Sequence, residues 1–279
     1  MSTYSGRVAF ITGGARGQGR SHALALAKEG IDVAIADLAG SGEVGTVLSP
    51  LATDEELART VGEVEALGVR CLARQVDVRD GPGLSAFVDD VARELGSVDY
   101  VLANAGILTW AEIGDMSDDM WQEMIDINLG GVFKTFRAAA PHFRSQGSGR
   151  AVATASMAGR GGFAQIAHYT AAKWGLIGLT KSFALELVPH GATANVIAPT
   201  NCDTDMIDNP AAHAFFGGSP EATKADAAEA CTSMVPMGIP WIQPQDVTAA
   251  LMFLLSDEAK YITGEVLHVS GGMSATNAV

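Results

Sequence analysis

An apolar run from Val8 to Ile11 ends in Thr12-Gly13-Gly14-Ala15-Arg16-Gly17-Gln18-Gly19, and helix-forming residues follow from Ser21 to Glu29. A strand that passes through glycines straight into a helix constrains the fold strongly. Glycines let the backbone approach another group closely, and the helix N-terminus presents unpaired N–H groups and a positive dipole end. Gly30 reads as the helix stop and Asp32 to Asp37 as a second strand. The alternation continues, with strands expected around Cys71 to Val76, Tyr100 to Ala103, Ala151 to Ala155, Thr193 to Ile197 and Glu265 to Val269. Near-continuous apolar strands separated by amphipathic segments are the pattern of βα units, with a parallel sheet buried on both faces.

That pattern predicts a single α/β domain over residues 1–279, a Rossmann-type doubly wound parallel sheet of seven strands with helices on both faces. Its simplest strand order is 3-2-1-4-5-6-7. Open α/β sheets reach this length as one unit. With 18 Lys plus Arg against 32 Asp plus Glu, the net charge of −14 argues against a nucleic-acid or anionic membrane partner. The three cysteines Cys71, Cys202 and Cys231 form no CxxC pair, so neither a disulfide framework nor a metal site is suggested and a reducing cytoplasm is expected. No apolar run reaches membrane-spanning length, and the opening Met1 to Gly6 has no leader pattern.

The chemistry is suggested by Tyr169 and Lys173, four residues apart, with Ser156 thirteen residues before the tyrosine. On a helix, positions i and i+4 share a face, so the lysine ammonium is expected to favour the ionised phenol. A tyrosine titrates near ~10 and accepts an alcohol proton near neutrality only if positive charge depresses that value. Asp37, ending the second strand, is placed to accept hydrogen bonds from ribose hydroxyls and to repel a 2′-phosphate, selecting NAD over NADP. Arg16 argues the other way, and the carboxylate is given the greater weight.

The glycine turn, Asn104-Ala105-Gly106 after the fourth strand, Asn128 on the next helix, Ser156 and the Tyr169/Lys173 pair occur in an order that resembles the short-chain dehydrogenase/reductase family, from about Gly6 to Gly272. The resemblance implies that Tyr169 is the base in alcohol oxidation and the acid in ketone reduction, and that Lys173 lowers its pKa and binds the nicotinamide ribose. It implies that Ser156 holds the substrate oxygen and that Asn128 anchors a water leading to Lys173. It also implies cofactor contacts from Gly13, Arg16, Gly17, Gln18, Gly19, Asp37, Asp77, Val78, Asn104, Ala105, Gly106, Pro199, Thr200, Asn201 and Thr204. Asp77 and Val78 would meet the adenine. A homotetramer is the family expectation.

Two departures from the common family pattern narrow the resemblance. Leu38 to Asp54, rich in Gly, Ser and Thr, looks like an inserted loop before a helix at Glu55 to Leu67, and it starts where the adenosine should lie. Ala198-Pro199-Thr200-Asn201 stands where most relatives carry Pro-Gly. Together with the segments 205–209, 239–242 and 256–264, these features resemble the mycofactocin-associated, carveol dehydrogenase-like branch. That implies tightly held NAD, reoxidised in place by a redox partner. Thr204 to Pro240 is long enough for a substrate lid, and Met206, Phe215, Phe216, Met234 and Met237, facing Trp110, Met157 and Phe163, are available to line an apolar pocket. A hydrophobic secondary alcohol or its ketone, such as a terpene alcohol, is the expected substrate. The rivals are a ketone or 3-oxoacyl reductase with exchangeable cofactor and a non-enzymatic nucleotide-binding regulator. His168 is expected to be a surface or packing residue.

Overall fold

Seven parallel strands form the centre of the molecule: β1 (Val8–Thr12), β2 (Asp32–Asp37), β3 (Cys71–Gln75), β4 (Tyr100–Ala103), β5 (Gly149–Thr154), β6 (Ala192–Pro199) and β7 (Val266–Val269), in the order 3-2-1-4-5-6-7. The computed structural model describes residues 6–40, 44–47 and 50–276. Met1 to Ser5, on which the leader reading rested, and residues 41–43 and 48–49 of the inserted loop lie outside the described residues.

Strand side chains alternate between two cores, as a pleated sheet requires. Phe10, Val101 and Ala151 enter one, where Leu84 and Phe87 of α3 (Gly81–Leu95), Phe136 and Phe143 of α5 (Gly131–Gln146) and Leu176 of α6 (Ala167–Leu187) close over them. Ile11, Leu102 and Val152 enter the other, covered by Leu26 of α1 (Gly17–Lys28), Val64 of α2 (Asp54–Glu65) and Leu251 of α9 (Pro244–Leu255). Phe10 meets Phe87 edge-on at 5.6 Å between ring centroids. Burying each such ring contributes about 1.5–3 kcal/mol. β1, β4 and β6 are wholly buried, whereas the edge strands β3 and β7 are half-exposed.

The remaining helices are α4 (Asp118–Ile125), α7 (Pro210–Gly217) and α8 (Lys224–Met234). α4 runs into α5 through a π-helical turn, Asp126–Gly130, so Asn128 lies on that turn instead of on a regular helix. α1 begins at Gly17, four residues before the expected Ser21; Gly17 and Gly19 are poor helix formers, so the first turn carries no propensity signal in the sequence. α2 begins at Asp54, where Thr53 and Glu56 form a reciprocal capping box. β6 continues through Pro199, and Thr200 resumes the pairing by donating to the Val269 carbonyl at 3.0 Å. Ser156 stands two residues beyond β5. Leaving β1 the chain turns to β2, and β4 lies on the other flank, so a crevice opens beyond their carboxyl ends.

Candidate active site

The glycine turn is folded so tightly that side chains are excluded at two places. Gly13 has φ +70°, and a Cβ there would lie 2.8 Å from the Ala105 backbone; one at Gly19 would lie 2.0 Å from the Gly13 carbonyl oxygen. Arg16 occupies the N-cap of α1 without a side-chain capping bond, so the first N–H groups of the helix face the crevice unclaimed by a cap. The buried Gln18 Oε1 has no partner within the protein. Asn104 braces the turn: its amide donates to the carbonyls of Thr12 (3.2 Å) and Gly13 (3.0 Å), and its oxygen accepts from Thr154 Oγ1 (3.3 Å).

Asp37 accepts from the backbone N–H groups of Ala15 (2.9 Å) and Ala39 (3.2 Å). Burial pushes its pKa up, and these bonds and the Arg16 charge only partly oppose that. Asp77 and Val78 both line the cleft, but the Asp77 carboxylate is directed to Arg79, accepting from its Nε at 2.8 Å and its backbone N–H at 2.8 Å. Burial disfavours the Asp77 charge, and the Arg79 bonds more than offset it, leaving the pKa below the ordinary carboxylate value. Asp77 thus lines the cleft with its charge held by Arg79, and Val78 lines it beside Asp77.

Described residues of the inserted loop lie along the same cleft: Leu38, Val44, Val47, Pro50, Leu51 and Ala52. Glu123 of α4 holds the loop, accepting from the N–H groups of Gly45 (3.1 Å) and Thr46 (2.9 Å) and from the Thr46 hydroxyl, while Arg79 reaches its other side at 3.3 Å. Gln75 donates to the Ala39 carbonyl at 3.0 Å. Arg16 binds the Pro50 carbonyl and pairs with Asp205 at 3.0 Å. Sequence reasoning missed Glu123, which lies in no motif, and noted Asp205 only within the segment 205–209 without its partner, since both act across long separations.

At the other end of the cleft, Tyr169 and Lys173 are buried on one face of α6, with the Lys173 Nζ 5.4 Å from the Tyr169 ring centroid and donating to the Thr154 carbonyl at 2.8 Å. The Ser156 hydroxyl hydrogen-bonds the phenol and also accepts from Ala158 N–H at 3.1 Å. Burial pushes the phenol up to about 12, against the Ser156 bond, and the Lys173 ammonium down to about 7. The expected depression of the tyrosine by the lysine is therefore absent from the protein by itself. Desolvation dominates, and both groups lean toward their neutral forms. Asn128 is wholly buried, its side chain spent on Ile107 N–H (3.3 Å), the Ile107 carbonyl (3.2 Å) and the Met124 carbonyl (3.2 Å). A Cβ on Gly106 would lie 2.6 Å from the Asn128 oxygen and 3.7 Å from the Lys173 Nζ, so only glycine leaves that approach open.

Tyr169 also lines a second cavity of about 410 Å³, walled by Trp110, Met157, Phe163, Met206, Phe215 and Phe216. Trp110 stacks on Phe215 at 5.1 Å, and Phe216 meets Phe215 edge-on at 5.0 Å. Met234 joins this wall, whereas Met237 is 74% exposed and lies off it. Thr204 and Gln18 line both spaces, and Pro199, Thr200 and Asn201 line the second. Of the two expectations for His168, packing is the one the structure has: it is buried, bonded to Thr109 Oγ1 at 2.8 Å, and burial lowers its pKa. Among the described residues no cluster suits a metal ion and no helix is long and apolar enough to cross a membrane.

The chain is 44% identical over 275 residues to a (−)-trans-carveol dehydrogenase from Rhodococcus erythropolis, covering 98% of this chain and 99% of that relative. Carveol dehydrogenase from Mycobacterium avium, whose crystal structure is in complex with NAD, superposes with a TM-score of 0.95 at 39% identity, covering 99% of this chain and 100% of that one. A 3-oxoacyl-(acyl-carrier-protein) reductase from Staphylococcus aureus is 37% identical over 265 residues, covering 95% of this chain and 97% of that enzyme. A family model described as enoyl-(acyl carrier protein) reductase matches residues 13–274. With the sheet order, glycine turn and Ser156, Tyr169 and Lys173 assembled as above, these matches place the chain in the short-chain dehydrogenase/reductase family.

Proposed function

We propose that the protein is an NAD-dependent oxidoreductase that interconverts a hydrophobic secondary alcohol, of the terpene alcohol kind, and its ketone. The observation that carries this reading is the position of Tyr169, whose side chain lines both the dinucleotide-shaped cleft and the apolar cavity. The cleft fits the cofactor: tight glycines and uncapped helix N–H groups suit a pyrophosphate, the partnerless Gln18 oxygen suits a hydroxyl or amide donor of the cofactor, and Asp37 suits a ribose diol. Gly13, Gly17, Gly19, Ala105, Gly106 and Thr204 would border it, with Lys173 at the nicotinamide ribose.

Bound NAD supplies a hydride acceptor of positive charge. Oxidation removes a hydride from the alcohol carbon and a proton from its oxygen. Ser156 holds that oxygen by hydrogen bond, and Tyr169 in its phenolate form takes the proton; in reduction the neutral phenol returns it. A phenol held near 12 by burial is scarcely ionised near neutrality, so positive charge arriving beside it, together with protonated Lys173, is what brings the phenolate into range. Lys173 passes protons outward past Gly106 toward the Asn128 turn.

The inserted loop supports slow NAD release, because Glu123 and Arg16 tie it over the adenosine end. With NAD retained, its reoxidation in place by a mycofactocin-type redox partner is part of this proposal, drawn from the branch resemblance. Exposed Trp121, Phe133 and Trp174 on α4, α5 and α6 support assembly with further copies, a homotetramer in this family. The Staphylococcus relative favours a second reading, a reductase with exchangeable cofactor. One experiment separates them: purified protein is dialysed extensively, its NAD content is measured, and carveol is supplied with an artificial electron acceptor. Retained NAD and acceptor-dependent ketone formation are expected. Protein that loses its NAD and turns over freely with added dinucleotide sinks the trapped-cofactor reading.

A further inference from the structure

We propose that Arg16 is a masked cation: Asp205 and Glu56 occupy its guanidinium, so the adenosine end rejects a 2′-phosphate through three carboxylates and not through Asp37 alone. The proposal rests on the cleft being an NAD site. Among the described residues lining the cleft the cationic side chains are Arg16 and Lys173, and Lys173 belongs to the far end beside Tyr169. Arg16 is thus the cation that a phosphate on the adenosine would meet.

Its fork is already taken. Nη1 lies 3.0 Å from Asp205 and 3.8 Å from Glu56, and Nη2 donates to the Pro50 carbonyl. Glu56 is itself fixed, accepting from Thr53 N–H at 2.9 Å in the α2 capping box and standing 3.9 Å from Arg59. Asp205 is 56% exposed, so its bond to Arg16 matters less for stability than for the sign of the local field. With Asp37 on the same wall, Arg16 faces three carboxylates, and the charge around it is net negative even with Arg59 counted. A 2′-hydroxyl is indifferent to that field, whereas a nearly dianionic 2′-phosphate is not. Discrimination is then built as much by neutralising an available cation as by opposing the phosphate directly.

Asp205→Asn with Glu56→Gln removes the two charges and leaves residue 56 an oxygen for the Thr53 N–H. Calorimetric titration of the full chain, first stripped of any bound dinucleotide, with NAD and with NADP reads the result. NADP affinity is expected to rise about tenfold in the double variant and NAD affinity to change by less than about threefold, with the NADP gain shrinking at high salt. Adding Arg16→Ala should return NADP affinity to the parent value. An unmoved NADP affinity in the double variant, or a gain that survives Arg16→Ala, overturns the proposal. A parent that binds neither dinucleotide overturns the cofactor reading as well as this one.

Discussion

The two ends of the cleft are held by different physics. At the Tyr169 end the groups are buried, Ser156 in part, and anchored to backbone: Lys173 on the Thr154 carbonyl, Asn128 on Ile107, Ser156 on Ala158. At the adenosine end the inserted loop and the start of the lid are fastened by charged side chains at or near the surface: Glu123 on the Thr46 N–H, Arg16 on Pro50 and Asp205. Buried neutral contacts are insensitive to salt and fix geometry, whereas exposed ionic ones are screened and open easily. On the proposed reading, the chemistry is placed on rigid elements, and cofactor exchange on contacts that can be tuned without disturbing it.

Tyr169→Phe attacks the rigid end and should have the largest effect, lowering alcohol oxidation by a factor on the order of 10²–10⁴ while NAD affinity stays within a few fold. Steady-state rates and a dinucleotide titration decide it; turnover close to the parent would dissolve the distinction between the two ends. In the parent, oxidation should rise with pH as the phenol loses its proton and ketone reduction should fall, since the first needs the base form and the second the acid form. A pH-independent oxidation rate would contradict the base assignment.

An intermediate effect is expected where Leu38 to Asp54 is replaced by a short Gly-Ser turn. NAD dissociation, followed by stopped-flow displacement, should accelerate roughly tenfold, with single-turnover hydride transfer nearly unchanged. If both rates fell together, the loop would belong to the catalytic end. The smallest effect is expected for Glu123→Gln, which removes the charge but keeps an acceptor for Gly45 and Thr46. NAD release should quicken by about two- to fivefold and lose part of its salt dependence. Release unaltered in rate and in salt response would show that Glu123 does not hold the loop.

What could be read from the chain follows the same division. The strand order, the glycine turn and the Ser156, Tyr169 and Lys173 set were legible because each depends on local patterns: buried apolar runs, glycines where a Cβ collides, and an i, i+4 spacing on one helix. The partners of the inserted loop were not, because Glu123 lies about eighty positions from the loop residues it binds and a single glutamate on a helix carries no local signature. Arg16 was noticed and weighed below Asp37, but its ion pair was not foreseen, since Asp205 lies far along the chain. The Tyr169 pKa went the wrong way because spacing reports proximity and says nothing of desolvation.

The π-helical turn between α4 and α5 makes one continuous rod, Asp118 to Gln146, carry a phase slip. One surplus residue in a helix rotates everything beyond it by about 100° relative to what came before. Removing a single residue from Asp126–Gly130 would give a more regular rod with better local bonding, yet Asn128 would swing off the Ile107 backbone and the packed faces of α4 and α5 would no longer be satisfied together. The position of one amide is thus recorded in the winding number of a helix, which substitutions leave intact and a one-residue deletion erases.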